Sequence, residues 1–523
     1  MVGSFIDHPP KGLTETLMSW EQIREVAAKE LVDVVSHTYD LHKAIQYNPP
    51  GNVGPAIAIR AYDPETKSYE TEQAYRTRIE ADFAAQKELF KKHLGTIPRA
   101  VIWPFGRYNA ISWEIAQAAG YRIAFKAGDR GLAYLDRLNA VNRLMIEKQP
   151  IEDFIIEITN PDVDKTITRA VQVDLDLIYD PESYEKTDKN LGKLIDRLVE
   201  MKVNTVFLQA FADPEGTGNI ESVYFHNRVL PVRADIFSHA AHQMIIREIY
   251  VYAWLPTLSI VLPDKRLNEK LRVLEKAGDT VRPSKSWYQR LTPFSSDVRK
   301  LIRNLYEDLA AHSQIHGILF QDDAYLTDYE DYHPSAVAHY KDRFGEDFLS
   351  ADLEENSELA MRWARYKTEV LIDLTRHLMT GVKKYRPVAK FARNIYAPLL
   401  TEPGSEKWFA QNYELFLETY NQVVIMAYPQ MEKVSRPSVW LEELVNKVKG
   451  FPHGIEKTVF KIQAYDWERN TWVKDTVILR EIRDILSAGG IHIAYYPDNL
   501  WEDKPALNTI KLEMSTQTYP FLP

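Results

Sequence analysis

Adjacent carboxylates are the strongest chemical signal in the chain. In "GILFQDDAYLTDYED" the apolar run at 318–320 reads as the end of a buried strand, and Asp322 and Asp323 follow at its exit. Successive strand residues point to opposite faces, so only one of the two aims into a site unless the strand end bends. A second pair, His37 and His42 in "VVSHTYDLH", lies five apart after a β-branched run. Two imidazoles can share zinc or a similar ion only with a third ligand. Aromatic residues give a third signal. Trp254, Trp287, Tyr288, Trp408, Tyr428, Trp467, Tyr495, Tyr496 and Trp501 cluster at or just after strand-like runs. Flat rings pack on the C–H faces of sugars and attract amines, and acidic neighbours suit a cationic sugar such as glucosamine. Glycosidic cleavage uses one carboxylic acid to protonate the leaving oxygen and a second carboxylate as base or nucleophile, unless a 2-acetamido group supplies the nucleophile itself. Asp322 and Asp323 suit that substrate-assisted variant, with Asp466 and Asp498 as alternative partners.

The elements that must position these residues fall into two segments, 1–164 and 165–523. In the second, strand-like runs occur at 170–180, 205–216, 248–260, 317–325, 389–397, 422–430, 458–467 and 490–499, mostly separated by helical patterns. Eight β/α units predict a (β/α)8 barrel, whose active site lies at the C-terminal ends of the strands. The runs end in Asp176, Asp213, Trp254, Asp322, Asn394, Tyr428, Asp466 and Asp498, so these residues converge on one mouth in that fold. The substrate-binding candidates are therefore Tyr288, Trp254, Asn394, Trp408, Tyr428, Asp466, Trp467, Tyr496 and Asp498. The first segment alternates helices with short strands in an α/β layer of too few strands for a closed barrel. Ser19 and Gln22 form a capping-box pattern, "LVDVVS" reads as a strand, a long helix stops at Gly95, and "RAVIWPFG" and "YRIAFKAG" read as further strands.

Composition excludes several functions. The chain has 523 residues, 45% of them hydrophobic, and a net charge of −10. That length supports two domains, and that charge argues against nucleic acid as a partner. No cysteine is present, so disulfides and thiolate metal sites are excluded. No apolar run reaches the length of a membrane helix, and the start lacks a signal-peptide pattern, so the chain as written reads as soluble.

The motif strings carry a resemblance. "SHTYDLH" and "RAVIWPFGRYN" together resemble the second and third motifs of the NodB-type polysaccharide deacetylases. There the histidine pair binds a metal together with an Asp from an earlier "TFDD" motif. The resemblance implies that His37 and His42 are ligands of a divalent metal (zinc, nickel, cobalt or iron). "TFDD" is not found here. The nearest Asp-bearing segments, "YDPET" and "SFIDHPP", do not resemble it, so the missing ligand is expected upstream of residue 1 and the deacetylase half is expected to be incomplete. Further strings, "LQAFADPEGTG", "YAWLPTLS", "YQRLTPF", "FQDDAYLTDYED", "WFAQNY" and "YYPDN", extend the likeness over the whole chain. Together they look like the periplasmic poly-β-1,6-N-acetyl-D-glucosamine N-deacetylases of biofilm exopolysaccharide processing, which join a deacetylase domain to a glycan-hydrolysing barrel. That implies a partial NodB-like domain followed by a TIM-like barrel, with Tyr288, Asp322, Asp323, Trp408 and Trp467 in the barrel's glycan-binding and catalytic region. It also implies a periplasmic, outer-membrane-associated setting. The implied partners are the glycan, its partially deacetylated form and an outer-membrane export porin. Two other readings stay open: a barrel that grips cationic glycan without cutting it, and an unrelated metallohydrolase in which Asp33 or Asp40 completes the histidine site.

Overall fold

The computed structural model describes residues 3–7, 17–29, 31–127, 135, 137–143, 150–159, 167–345 and 357–517. The chain divides into two compact units, 1–166 with 382–387, and 167–381 with 388–523.

In the first unit, α1 (Trp20–Ala27) opens with the capping box: the Ser19 hydroxyl accepts from the Gln22 N–H and the Gln22 side chain accepts from the Ser19 N–H. Helix α2 (Glu72–Leu94) ends at Gly95, whose φ of 67° is a left-handed conformation open to glycine at little cost. β1 (Ala100–Ile102), β2 (Ile123–Ala127) and β3 (Val141–Arg143) form a parallel sheet, with α3 (Ala110–Ala118) between β1 and β2 in the chain. The stretch "LVDVVS" is not a ladder strand. Within it only Ser36 forms a bridge, to Val101 of β1. Ile79, Phe83, Val101, Trp103 and Ile111 are buried here.

The second unit is a closed barrel of eight parallel strands in chain order. They are β4 (Arg169–Val173), β5 (Thr205–Gln209), β6 (Tyr250–Leu255), β7 (Gly317–Phe320), β8 (Lys390–Tyr396), β9 (Gln422–Ala427), β10 (Thr458–Gln463) and β11 (His492–Tyr496). Seven lie inside one of the eight predicted runs, and β4 begins one residue before its run, at Arg169. The strands are shorter than the runs because most runs continue past the ladder into the loops at the strand ends. Amphipathic helices surround them. In α4 (Tyr184–Met201) the buried Leu191, Leu194, Ile195, Leu198 and Met201 recur at helical spacing, and burying each such side chain contributes about 1.5–3 kcal/mol.

The barrel interior is layered. Phe207, Tyr252 and Gly317 are register partners on β5, β6 and β7. A Cβ on Gly317 would lie 2.5 Å from the Tyr252 ring, so the close approach of that ring requires glycine. Above this layer the interior turns polar, which is unusual for a core and marks the floor of a site.

Candidate active site

The two adjacent aspartates have opposite surroundings. Phe320 packs outward, stacking on Tyr306 of α5 (Ser296–His312) and on Phe391. Strict alternation would therefore send Asp322 outward as well. The strand instead ends at Phe320 and the chain turns at 322–323, which brings Asp322 into the mouth. Asp323 goes the other way. It is fully buried, and its carboxylate accepts from the backbone N–H groups of Thr257 (3.0 Å), Leu258 and Ser259 (2.7 Å) in the loop after β6. Burial pushes its carboxyl up and those three donors pull it back. Asp323, expected to be catalytic, is thus not brought to the mouth; it fastens one loop to another.

At Asp322, two phenols converge on one oxygen. Tyr288 (3.1 Å) and Tyr396 (2.9 Å) both donate to Oδ2. Oδ1 has no protein partner among the described residues. Burial, and then the Asp322 carboxylate, push both phenols well above their ordinary range, so both remain donors. Tyr396 is held by stacking on Phe409 at 4.6 Å. Tyr288 is held by the loop after β5: Gly218, at φ +72°, lies where a Cβ would overlap the Tyr288 ring, and its N–H donates to Asp213 (2.7 Å).

Beneath the mouth lies Lys461 on β10, 2% exposed. Its Nζ donates to Asn394 Oδ1 (2.8 Å) and Gln172 Oε1 (3.1 Å). Burial lowers this ammonium to about 8, while Asp322 pulls it upward. Asn394 therefore belongs to the floor, holding Lys461. An aromatic wall rises beside it. Trp467 sits 6.0 Å from Tyr428 and 6.1 Å from Tyr496, nearly parallel to the latter, and Trp254 meets Tyr496 edge to face at 5.4 Å. Trp467 and Trp408 remain about half exposed. Trp408 lies on the short helix Glu406–Phe409 that delivers Phe409 to Tyr396.

Carboxylates line the first two strand ends. Asp174 follows β4, and the Tyr496 hydroxyl donates to it at 3.4 Å. Asp176 accepts from Tyr224 (2.5 Å), Gln209 (2.8 Å) and the Asp213 N–H (2.9 Å). Asp213 in turn closes its own loop through Thr217 and Gly218. Two other candidates lie elsewhere. Asp498 is buried against Arg197 of α4 at 3.0 Å and accepts from Tyr495 at 2.7 Å, so it joins barrel to helix layer instead of lining the mouth. Asp466 accepts from the N–H groups of Glu468 and Arg469 and pairs with the Arg469 side chain, an arrangement that caps the loop after β10. The residues not anticipated are Tyr396, Asp174 and Lys461. Tyr396 and Asp174 were detectable by period two, from Asn394 and Gln172 respectively.

In the first unit, the rings of His37 and His42 lie 4.7 Å apart. His37 Nδ1 is 2.7 Å from the Ile102 carbonyl oxygen, so Nδ1 carries the proton and Nε2 presents its lone pair. Burial lowers His37 to about 4 and lowers His42 as well, which keeps both in the neutral, metal-ligating form. Asp82 holds the loop between them by accepting from the N–H groups of Tyr39 (2.9 Å) and Asp40 (2.7 Å). The pair suits two positions of a divalent metal's shell. Asp33 pairs with Arg99 and Asp40 with Lys43, so neither completes the site. Among the described residues, no group of three His, Asp or Glu side chains could hold a metal ion.

Comparison with known proteins gives concordant results for both units. Residues 172–496 match the family described as hypothetical glycosyl hydrolase family 13, and residues 1–124 match polysaccharide deacetylase. The chain is 37% identical to the poly-beta-1,6-N-acetyl-D-glucosamine N-deacetylases of Escherichia coli O157:H7 and of strain K12, over 99% of this chain and 79% of each relative. It is also similar to the solved glycoside hydrolase domain of PgaB (BpsB) from Bordetella bronchiseptica, with 37% identity and a TM-score of 0.62. That match covers 67% of this chain and all of that one.

Proposed function

This chain belongs to the poly-β-1,6-N-acetyl-D-glucosamine N-deacetylase family, and on that premise we propose that its barrel binds partially deacetylated poly-β-1,6-N-acetyl-D-glucosamine and hydrolyses it. The observation that carries the reading is Asp322, with Oδ2 clamped by Tyr288 and Tyr396 and Oδ1 left open to the mouth. One oxygen is fixed in place while the other is available to exchange a proton with the glycosidic oxygen or to orient a 2-acetamido group. Lys461 lies below, its ammonium held by Asn394 and Gln172, lowered in pKa by burial and drawn upward by the Asp322 carboxylate. The stack of Tyr428, Trp467 and Tyr496 offers flat faces to the sugar rings, and cation–π attraction favours amines among them.

In the deacetylase half, His37 and His42 are assigned as two ligands of a divalent metal, which when bound would polarise an amide carbonyl and its attacking water. Neutral imidazoles with a fixed tautomer support that assignment. A periplasmic setting at the outer membrane and an export porin as partner belong to the same proposal and rest on family membership.

The test is incubation of the full chain with partially deacetylated polymer and mass analysis of the products. Asp322→Asn keeps size and hydrogen bonding but removes the titratable proton. It is expected to reduce cleavage by about 10²–10⁴-fold, with binding largely kept by Trp408 and Trp467. Wild-type binding without any cleavage product would favour a barrel that only grips the glycan. Equal affinity for acetylated and deacetylated polymer at low salt would remove the charge argument.

A further inference from the structure

Tyr288 reaches Asp322 from a segment with no ladder of its own. Between 284 and 295 the backbone makes one isolated bridge, Leu291 to Arg272, and Asp322 and Tyr325 lie in the turn and loop after β7. Strand pairing therefore does not fix this phenol against the carboxylate. A buried arginine joins the two segments instead. Arg290, 1% exposed, gives Nη2 to both carboxylate oxygens of Glu330 (2.7 and 2.8 Å) and Nη1 to the carbonyl oxygen of Tyr325. Its guanidinium carbon lies 3.9 Å from the centre of the Tyr325 ring, a cation–π contact. That ring stands edge to face against Tyr288 at 6.3 Å and against Tyr396 at 6.0 Å. One guanidinium thus holds both the main chain and the ring of the residue wedged between the two phenols on Asp322.

The other end of the ion pair is anchored as closely. Glu330, 1% exposed, also accepts from Ser284 Oγ, from Ser286 Oγ (3.2 Å) and from the Thr327 N–H (3.0 Å). Lys367, fully buried on the helix Ser357–Tyr385, donates to the carbonyl oxygens of Glu330 (2.7 Å) and Thr327 (2.5 Å). Ser284 and Ser286 belong to the segment that carries Tyr288, so Glu330 ties that segment to the Asp322 loop twice, through the serines and through Arg290. Desolvation offsets much of the Coulombic gain of an ion pair buried this deeply. Its main product is fixed geometry, which the rigid planar fork of arginine suits.

We propose that Arg290 is a positioning residue for glycan cleavage: by holding Tyr325 and Glu330 together it sets the Tyr288 hydroxyl on Asp322 Oδ2. Its action runs through Tyr288, two residues before it in the chain, and the Tyr325 ring is the spacer that transmits it. The proposal rests on the reading of Asp322 as the cleaving carboxylate and deepens it by naming what aims one of its two donors.

The test is a double-variant cycle in the full chain, reading initial rates of cleavage at saturating partially deacetylated poly-β-1,6-N-acetyl-D-glucosamine, with affinity for that polymer measured separately. Arg290→Lys keeps a charge beside Glu330 and loses the fork. It is expected to lower kcat by about 10-fold, the low end for a hydrogen bond to a charged group, with affinity within about twofold of wild type. In the Tyr288→Phe background the same substitution is expected to lower kcat by no more than about twofold, because the hydroxyl that Arg290 positions is already gone. A merely structural arginine lowers kcat by the same factor in both backgrounds. That result overturns the proposal, as does an unchanged kcat or a deficit confined to affinity. If thermal melting shows Arg290→Lys unfolded, Glu330→Gln, which keeps the size and removes the charge that holds the guanidinium, enters the same cycle with the same expectations. A wild type that binds the polymer and yields no cleavage product overturns the hydrolase reading and this proposal with it, before any variant is compared.

Discussion

Replacing Tyr396 by Phe isolates one interaction at the centre of the site. The ring remains stacked on Phe409 at 4.6 Å, so the fold is expected to hold, and only the hydroxyl 2.9 Å from Asp322 Oδ2 is lost. A hydrogen bond to an ionised partner contributes about 1.5–3 kcal/mol, which converts to a rate loss of about 10- to 100-fold if the bond persists to the transition state. The companion Tyr288→Phe removes a 3.1 Å bond to the same oxygen and is expected to do less. Because both phenols share Oδ2, each compensates in part for loss of the other, and the double variant is expected to lose more than the sum of the two singles. Initial rates of cleavage of a deacetylated oligomer at saturating concentration, with affinity measured separately, read this out. The loss belongs in kcat, since the tyrosines hold the carboxylate and the aromatic wall holds the sugar. A Tyr396→Phe enzyme with wild-type kcat, or one whose whole deficit lies in affinity, would refute the reasoning.

Other perturbations test the framework. Asp323→Ala strands three backbone N–H donors around a fully buried position. At about 1–3 kcal/mol for each unsatisfied group, urea unfolding is expected to show a loss of at least about 3 kcal/mol. Gly218→Ala forces a side chain onto the Tyr288 ring at φ +72°, and kinetics is expected to show reduced kcat with near-normal binding. Glu481, on α7 (Asp475–Ser487) beyond α6 (Pro437–Lys449), is 1% exposed, and burial raises its carboxyl to about 7 against a hydrogen bond from Gln430. The folded state thus holds a proton that the unfolded chain sheds above its ordinary value of 4.5. Stability from this group is present at low pH and is lost as pH rises through about 7. Between pH 5 and 8, Glu481→Gln is expected to gain about 2–3 kcal/mol relative to wild type; a difference independent of pH in paired denaturation curves would contradict this.

The barrel was legible because parallel strands buried on both faces read as near-continuous apolar runs, and the polar residue closing each run pointed to the mouth. Direction was harder to read. Asp498 sits at a strand end as Asp322 does, yet it faces Arg197. The pairing with Arg197, 301 residues away, decides that, and local sequence does not signal it. Lys461, within "TVFKIQAYDW", reads like the solvent-facing residue of an alternating strand. Its burial depends on Asn394 and Gln172, 67 and 289 residues away. Asp174 was overshadowed by Asp176, the later acid of the same run. "LVDVVS" has the composition of a strand but finds only a single bridging partner at Val101, which composition alone cannot foresee.

Neighbouring positions 322 and 323 carry the same amino acid in opposite surroundings. One side chain opens to the mouth of the barrel, the other holds the main chain of the loop at 257–259. Drift at the first leaves the architecture standing and the aromatic wall intact, so a descendant could stop cutting and still hold sugar. Drift at the second removes the loop anchorage, and no gain in recognition offsets it. The path from hydrolase to lectin in this scaffold is therefore short, and its most direct step is at position 322.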